Sequence, residues 1–283
     1  MKRLNTMLLI VLAAAMALFG SYLFWVHNNL DSAGPVISVE ETLLEVSVED
    51  DKEKLLAGVT AMDDRDGDVT SSLLVESIYG IDENNMTTVV YAAFDRAGNV
   101  TKIQRPVRYK DYEPPKFKLT QSLTYTYGSG FDVLDHVGAE DLIEGDISRR
   151  IHATLISDTR DVQDEGSHQV KFQVTNSLGD TAEVVLPVDV YAPEWYTADV
   201  ELSEYLIYLK RGERFLAQSY LERFIVRGEP IDLRGGIPAD VELEIFNNVR
   251  VNTPGVYEVT YILTRDLNLT SHSGIAKLIV IVE

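Results

Sequence analysis

Three short segments of this 283-residue chain resemble one another, and each carries a proline shortly before an apolar run. The segments read DSAGPVISV, DYEPPKFKL and VYAPEWYTADV, and their matching prolines are Pro35, Pro115 and Pro193, which lie 80 and 78 residues apart. Proline fixes its backbone near an extended angle and lacks a ladder donor, so it suits a domain junction or the start of an edge strand. The spacing therefore predicts a tandem array of three small domains.

A glycine-containing acidic segment recurs within the first two units. AMDDRDGDVT (61–70) aligns without a gap with AEDLIEGDIS (139–148), and VVYAAFDRAGNVT aligns with VKFQVTNSLGDTA, which places Asp95 opposite Asn176. In the third unit the later segment survives as PGVYEVTYILTRDLNLT, whereas the acidic segment is reduced to Asp240. The first two units are therefore close copies, and the third is a divergent one.

Short strands dominate the predicted secondary structure. In HQVKFQVTN (168–176) apolar and polar residues alternate, as they do in a strand that has one buried and one solvated face. Turn-forming clusters such as DRAGN, NSLGD and DENN separate runs of this kind at intervals of about ten residues. This pattern predicts an all-β fold of tandem immunoglobulin-like β-sandwiches, with no long amphipathic helix beyond the N-terminal segment.

These features together resemble a known family. The family is suggested by proline-led units, a turn of the form A-x-D-x-x-[DE]-G-D-[VI]-[TS] and a later Y-x-x-x-D-x-x-G-N. These features resemble the bacterial immunoglobulin-like repeats that occur in Gram-positive cell-surface proteins and in some insecticidal crystal toxins. Such repeats are related in style to hyalin repeats and cadherin-like domains. The resemblance covers residues 35–192 closely and 193–283 loosely. It implies spacer or adhesive modules without catalytic activity, so we do not expect an enzyme.

The N-terminus predicts a membrane helix. Residues 7–26 are uncharged and almost wholly apolar, and about 20 helical residues span the hydrocarbon of a lipid bilayer. Lys2 and Arg3 precede this run, so the positive-inside rule places the N-terminus in the cytoplasm and the later domains outside the cell. The alternative is a cleaved signal peptide, for which the small residues at 13–17 offer a cleavage site.

The predicted organisation is that of a single-pass protein of the cell membrane. No wall-sorting tail is recognisable before Glu283, so we expect the N-terminal helix to be the anchor. The predicted segments are a cytoplasmic tail at 1–6, a transmembrane signal-anchor at 7–26, a linker at 27–34, immunoglobulin-like domains at 35–110 and 111–192, and a divergent immunoglobulin-like domain at 193–283.

Composition limits the partners of the folded part. Asp and Glu outnumber Lys and Arg by 45 to 25, and the resulting formal charge of −20 repels nucleic acid and anionic lipid surfaces. The sequence contains no cysteine, which excludes disulfides, thiolate metal ligands and a cysteine nucleophile. We therefore expect an adhesive or spacer protein that binds an extracellular glycan, wall polymer or protein. The alternative is a structural subunit of a membrane or envelope assembly.

One segment of the third unit departs from this acidic background. Residues 211–236 carry five arginines: Arg211, Arg214, Arg223, Arg227 and Arg234. They either contact the partner or balance neighbouring carboxylates, as exposed mixed charges commonly do.

The acidic segments are the candidate site. The candidate metal ligands are Asp63, Asp64, Asp66, Asp68 and Asp95 in the first unit, and Asp141, Glu144 and Asp146 in the second. Glycine supplies a positive φ and aspartate binds nearby amides in turns, so a purely structural turn explains Gly67 and Gly145 together with the acids. The functional alternative is Ca²⁺, which prefers carboxylate and carbonyl oxygens, although the segment is not an EF-hand loop.

Catalytic sites have little support in the sequence. A pair of glycosidase acids would need a cleft, and acids at a loop tip lack the burial that raises a pKa. Neither an H-E-x-x-H zinc motif, nor a glycine-rich phosphate loop, nor a G-x-S-x-G nucleophile elbow is present in the sequence.

Overall fold

The computed structural model describes residues 2–156, 161–267 and 269–283. Met1 of the predicted tail, residues 157–160 of the predicted second domain and Asn268 of the predicted third lie outside the described residues. The chain divides into two compact units, one ending at Lys110 and the other beginning at Asp111.

The first unit begins with a single long helix, α1, which spans Lys2–Asn29. Its segment Met7–Trp25 has a mean hydropathy of 2.3, and the side chains of this segment are exposed. The helix is therefore long and apolar enough to cross a membrane as an anchor or to serve as a signal sequence.

Seven strands follow α1 in the first unit and form two sheets. The strands are β1 Val36–Val39, β2 Leu44–Val46, β3 Val59–Asp63, β4 Gly67–Asp68, β5 Leu74–Ile81, β6 Met86–Phe94 and β7 Val100–Tyr109. One sheet has the order β1-β3-β4, and the other has the order β2-β7-β6-β5 with β2 parallel to β7. The N-terminal strand of the sandwich is thus split into two parts: β1 belongs to the three-stranded sheet and β2 to the four-stranded sheet.

The second unit repeats this strand order twice. Its first set consists of β8 Lys116–Leu119, β9 Thr124–Thr126, β10 Val137–Asp141, β11 Gly145–Asp146, β12 His152–Leu155, β13 Gly166–Thr175 and β14 Thr181–Tyr191. Its second set consists of β15 Ala198–Leu202, β16 Leu206–Leu209, β17 Leu221–Val226, β18 Glu229–Asp232, β19 Val241–Asn247, β20 Gly255–Leu267 and β21 Thr270–Val282. In each set the second strand again runs parallel to the last, as β9 does to β14 and β16 to β21.

The predicted fold class is confirmed: the described chain is an all-β array of immunoglobulin-like sandwiches after one N-terminal helix. Short 3₁₀ helices at Lys52–Leu56, Thr70–Ser72, Ser148–Arg150 and Ala217–Tyr220 fill the connections. The divergent third repeat retains the strand order of the other two, although its acidic segment is reduced.

The alternating pattern places the predicted face in the core. Val170, Phe172 and Val174 of β13 are almost completely buried, whereas the residues between them are not. A departure from this rule occurs in the first unit, where Arg105 of β7 is only 2% exposed. Its Nη1 donates to the carbonyl of Ala57 at 2.9 Å, while its Nε is buried and has no hydrogen-bond partner among the residues described.

The two sandwiches of the second unit share one core. Leu206 of β16 and Ile279 of β21 belong to the same buried cluster as Phe117 of β8. The amide of Phe117 also donates to the Tyr208 hydroxyl at 2.9 Å, and burial raises the pKa of Tyr208 to about 12. Apolar side chains from both sandwiches are therefore removed from water in the same place, which joins them into one body.

A buried ion pair reinforces this junction. Lys277 of β21 lies 2.6 Å from the carboxylate of Asp189 in β14 and 3.0 Å from that of Glu258 in β20. Burial alone would lower the pKa of Lys277, but the Asp189 carboxylate, aided by Glu258, outweighs burial and holds this pKa above its ordinary value. The Lys277 backbone also donates to the Ser122 hydroxyl, at 2.7 Å, and accepts from it, at 3.0 Å.

Candidate functional site

The acidic segment of the first unit is a tight turn that Asp63 organises. Asp63 ends β3, and its Oδ1 accepts hydrogen bonds from the amides of Arg65 at 2.9 Å and Asp66 at 2.8 Å. Gly67 follows with φ 76°, a conformation that costs glycine little. The carboxylate thus satisfies two amides that the turn would otherwise leave without acceptors.

The exposed end of this turn is fixed by a second aspartate. Oδ1 of Asp68 accepts from the amide of Thr70 at 2.9 Å, and the Thr70 hydroxyl accepts from the amide of Ala61 at 3.1 Å. Hydrogen bonds from the side chain and then the backbone of Thr70 lower the pKa of Asp68. Asp68 and its neighbour Asp64 are both exposed. We assign Asp68 to the turn.

The second unit contains the same turn. Oδ1 of Asp141 accepts from the amides of Ile143 and Glu144, both at 2.9 Å, and Oδ1 of Asp146 accepts from the amide of Ser148 at 2.9 Å. Gly145 has φ 73°. Hydrogen bonds from Ser148 lower the pKa of Asp146, as those from Thr70 do for Asp68. The recurrence of glycine beside acids therefore has a structural cause in both units.

Glu144 has a further role in the second unit. It forms a bidentate pair with Arg150, at 2.6 and 3.2 Å, and accepts the amide of Ser177. The hydrogen bond from Arg150 is the main reason that the pKa of Glu144 lies below its ordinary value. The Arg150 guanidinium occupies this carboxylate and leaves little of its charge for another cation.

A cluster of carboxylates distinguishes the turn of the first unit. Asp31, Asp63 and Asp66 each place a carboxylate oxygen within 4.8 Å of those of the other two. Asp63 is 7% exposed, and the side chains of Asp31 and Asp66 are 13% and 16% exposed. Three like charges are thus held together in partial shelter from water, where their repulsion is stronger than at an open surface.

Asp31 reaches this cluster from the linker that follows α1. The carboxamide of Asn99 donates to the backbone carbonyls of Asp31, at 3.3 Å, and Ala33, at 3.0 Å, and so holds the linker against the sandwich. The same carboxamide donates to Asp95 at 2.7 Å. Asp31 was absent from the sequence-based candidates because the linker lies outside the repeated turn.

Asp63 retains one carboxylate oxygen without a partner. Its Oδ2 is buried and accepts no hydrogen bond from the described residues. Nε of Arg65 lies 4.0 Å from Asp31, and Nη1 of Arg96 lies 3.8 Å from Asp66, but these two side chains are 45% and 87% exposed. Exposed pairs at such distances stabilise a fold by about 0–1 kcal/mol and leave the Asp63 oxygen without a donor.

The matching oxygen in the second unit has a donor. Asn176 donates its carboxamide to Oδ2 of Asp141 at 2.9 Å and to the Tyr112 hydroxyl at 2.8 Å, and Tyr112 in turn donates to Asp180 at 2.8 Å. Burial, followed by the Asp180 carboxylate, raises the pKa of Tyr112, so this hydroxyl remains a donor. Neutral donors therefore satisfy both carboxylate oxygens of Asp141.

The residue that makes the difference is Asp95, which stands where the second unit has Asn176. Asp95 cannot donate when ionised, and its two oxygens accept instead from the backbone amide and carboxamide of Asn99, at 2.8 and 2.7 Å. Burial would raise the pKa of Asp95, but these hydrogen bonds outweigh it and lower the pKa. An ionised Asp95 thus adds negative charge near the turn but provides no hydrogen-bond donor.

The structure brings together only part of the predicted ligand set. Asp63 and Asp66 cluster with Asp31, whereas the other six predicted ligands lie outside this group: Asp64, Asp68, Asp95, Asp141, Glu144 and Asp146. The pKa values of four acids in these turns are lowered, those of Asp68, Asp95, Glu144 and Asp146. A general acid in a glycosidase requires the opposite shift, so these acids do not have its electrostatics.

Two of the five arginines in 211–236 form ion pairs with nearby carboxylates. Arg223 pairs with Glu201 at 2.6 Å, and Arg234 pairs with Asp232 at 2.8 Å. Arg234 is also the main reason that the pKa of Asp232 falls to about 2. Nε of Arg227 donates to a ring nitrogen of His272 at 3.1 Å.

Two arginines of this segment remain exposed on a loop. Arg211 and Arg214 lie between β16 and the 3₁₀ helix Ala217–Tyr220, and neither forms an ion pair within the described part of the chain. Leu216, beside them, is 58% exposed. This arginine loop, residues 211–216, thus combines positive charge with an exposed apolar side chain.

No family model matches the chain, and no curated protein matches it. Similar solved structures include the protocadherin GammaB4 extracellular domain, with 10% identity over 89% of this chain and 50% of that chain and a TM-score of 0.20. Mouse cadherin-23 EC22-24 has 12% identity over 89% of this chain and 99% of that chain, with a TM-score of 0.21. CBM51-2 in complex with GlcNAc, with INT domains, from Clostridium perfringens ZmpB has 17% identity over 55% of this chain and 41% of that chain, with a TM-score of 0.22.

This chain therefore spans half the length of the protocadherin structure and less than half of the ZmpB structure. The TM-scores are low, so the assignment to immunoglobulin-like sandwiches rests on the strand order of the chain itself.

Proposed function

We propose that the protein is an exported, membrane-anchored adhesive or spacer protein whose sandwiches hold a binding surface away from the bilayer. In this proposal α1 is the uncleaved anchor, residues 1–6 remain in the cytoplasm and residues 27–283 lie outside the cell. The partner is an extracellular glycan, wall polymer or protein. The resemblance of the repeats to Gram-positive surface modules supports the proposal, as does an apolar exposed helix at the N-terminus.

The shared core of the second unit is the observation that carries this proposal. Domains joined only by a linker reorient freely, whereas a buried apolar and ionic junction holds two domains in one orientation. Leu206 and Ile279 cross from one sandwich into the core of the other, and Lys277 bridges to Asp189 beside them. Such rigidity is of use to a spacer. A glycosidase would need in addition a general acid with a raised pKa, whereas the pKa values of Asp68, Asp95, Glu144 and Asp146 are lowered.

The arginine loop is our candidate for the partner surface. Its exposed Arg211 and Arg214 stand out in a chain whose formal charge is −20. Positive groups with free donors, beside the exposed Leu216, suit an anionic polymer or an acidic glycan.

Binding to isolated Gram-positive cell walls tests this assignment. The full chain in detergent micelles is sedimented with the walls, and Arg211→Ser/Arg214→Ser is compared with the matched control Arg223→Ser/Arg234→Ser, which removes the same charge from paired positions. We expect the first variant to lose most of its binding and the control to retain it. Equal binding by both variants, or none by the native chain, would contradict the assignment.

Orientation in the membrane is testable because the native sequence contains no cysteine. Ser129 is exposed in a turn of the second unit, and Asn5 lies in the predicted tail. In intact cells a membrane-impermeant maleimide should label Ser129→Cys and spare Asn5→Cys until the cells are permeabilised. The reverse labelling would exclude this topology, and release of an N-terminally shortened chain into the medium would indicate a cleaved signal peptide.

The alternative, a structural subunit of an envelope assembly, predicts a different result from purification in detergent. A membrane partner that remains bound in constant stoichiometry would favour the assembly over an independent adhesin. The exposed apolar surface of α1 is the contact that such a partner would use.

A further inference from the structure

The carboxylate cluster of the first unit is held in place by its own backbone. Asp63 is fixed by the amides of Arg65 and Asp66, and Oδ2 of Asp66 accepts the amide of Arg96 at 2.8 Å. Asp31 is held by the linker carbonyls that bind Asn99. The three acids therefore cannot separate without loss of these hydrogen bonds, although their charges repel one another.

The cluster also lacks a donor that its counterpart possesses. Oδ2 of Asp63 is buried and has no partner in the described part of the chain, whereas Oδ2 of Asp141 accepts from the Asn176 carboxamide. A buried carboxylate oxygen without a donor is costly, and native proteins seldom tolerate one. Since the backbone turn is the same in both units, the difference lies in what occupies the space beside the carboxylate.

We propose that Asp31, Asp63 and Asp66 bind one Ca²⁺ ion, which takes the place of the missing donor. The cluster offers only carboxylate oxygens, which suit a hard divalent cation and not a metal that prefers imidazole or thiolate. Backbone amides hold the carboxylates of Asp63 and Asp66 where the turn places them. Ca²⁺ accepts an imposed geometry more readily than Mg²⁺, since Mg²⁺ demands near-octahedral geometry. Water completes the coordination shell at the open side of the cluster.

The ion would fasten the linker to the first sandwich. Asp31 lies two residues beyond the end of α1 at Asn29, whereas Asp63 and Asp66 belong to the sandwich turn. A cation held by all three joins the segment after the helix to the folded module. Without it, repulsion among the carboxylates favours release of the linker. The site thus couples the extracellular Ca²⁺ concentration to the stiffness of the link between the helix and the first domain.

Calorimetric titration of the full chain in detergent micelles with CaCl₂, after treatment with a chelator, tests this site. We expect one ion per chain, with an affinity that falls at least about ten-fold in Asp31→Asn and in Asp63→Asn, because carboxylate charge sets Ca²⁺ affinity. Asp68→Asn is the matched control, since it removes one charge from the exposed end of the same turn and should leave the affinity unchanged. Asn at 63 retains an oxygen for the two turn amides, so this variant should fold, as far-UV circular dichroism will show.

Hydrogen exchange of residues 30–36 provides a second measurement. Ca²⁺ should slow exchange in this segment of the native chain and of Asp68→Asn, but not of Asp63→Asn. Binding that all three variants retain would place the ion elsewhere, and an equal affinity for MgCl₂ would overturn the assignment to Ca²⁺. The absence of binding heat together with unchanged exchange would overturn the site itself. The test concerns residues of the first unit only and does not depend on wall binding.

Discussion

The sharpest energetic prediction concerns Lys277, whose side chain is 13% exposed. Its ammonium contacts Asp189, which is 4% exposed, at 2.6 Å. Lys277→Met removes the charge but preserves most of the apolar stem, so Asp189 is left buried without its cation. Breaking a buried pair in this way costs about 3–5 kcal/mol. Because Glu258 also loses its partner at 3.0 Å, we expect a value in the upper half of this range for the second unit.

The double variant Lys277→Met/Asp189→Asn separates the ion pair from packing. With no charge left at Asp189, most of the desolvation penalty disappears, and replacement of a buried pair by neutral residues is often close to neutral in stability. We therefore expect the double variant to recover at least about 2 kcal/mol relative to Lys277→Met, as a double-mutant cycle would report.

Urea denaturation of the full chain in detergent, followed by circular dichroism and by Trp195 fluorescence, measures both effects. Urea is uncharged and leaves ion pairs unscreened, unlike guanidinium. Trp195 lies in the second unit, with its ring 6.0 Å from that of Tyr191. A loss below about 1 kcal/mol in Lys277→Met, or additivity of the two substitutions, would refute the view that a buried pair joins the sandwiches.

Three further predictions use the same unfolding assay. Gly67→Ala and Gly145→Ala should each cost about 1–2 kcal/mol through backbone strain alone, because a Cβ at either position meets nothing within 4 Å; equal stability would contradict the positive φ. Arg105→Met should leave the first unit as stable or stabilise it by up to about 2 kcal/mol, since an arginine without a carboxylate partner is costly to bury, and a loss above about 1 kcal/mol would contradict this. The pKa of Glu144 is lowered, so its contribution is present above the unfolded value of 4.5 and is lost as the pH falls through the folded pKa. Glu144→Gln should therefore reduce the acid sensitivity of the second unit below pH 4.5, and an unchanged acid limb would contradict the role of Arg150.

The fold was predictable because its signals are local and repeated. The alternation in 168–176 reports which side chains face the core, and turn residues report where strands end. The proline at each junction and the glycine of each turn recur with nearly constant spacing. The divergent third repeat lacks the turn glycine, but it keeps Pro193 at its junction and Gly255 at the start of β20, where Gly166 starts β13.

The site was predictable only in part because long-range hydrogen bonds assemble it. Asp63 and Asp66 belong to a recognisable motif, but Asp31 joins them through the Asn99 carboxamide, and 68 residues separate Asp31 from Asn99. One sequence signal could have identified it: Asp31 precedes Pro35 by the distance at which Asp111 precedes Pro115. The equivalence indicates a junction carboxylate, but the sequence does not show which junction carboxylate contacts the turn.

Packing between sandwiches left no periodic trace in the sequence. Lys277 occurs in the apolar run AKLIVIVE, where a lysine reads as a residue of the solvated face. It is buried because Asp189 of the neighbouring sandwich faces it. Arg105 is a second charged residue that the pattern would place at the surface, and it is buried within a single sandwich. The aligned position in the second unit is the buried Leu186. The pattern of apolar and polar residues identifies the buried face of a strand. It does not identify a charged residue that is buried because a partner distant in the sequence binds it.

The two turns act as an internal control for the meaning of their acids. Where the units agree, as at Asp63 and Asp141, the carboxylate has the same two amide partners in each, and the shared chemistry explains the fold. One buried difference between them is Asp95 against Asn176, and the second carboxylate oxygen accepts the amide of Asn176 in the second unit but has no donor among the described residues in the first. A purely structural turn would gain from an amide at both places, since the amide satisfies the oxygen without added charge. The first unit instead has a carboxylate at Asp95, and its linker brings in the carboxylate of Asp31. Negative charge is therefore concentrated at a place where a neutral side chain would give a more stable fold. A bound cation would offset the repulsion among these carboxylates and coordinate their oxygens.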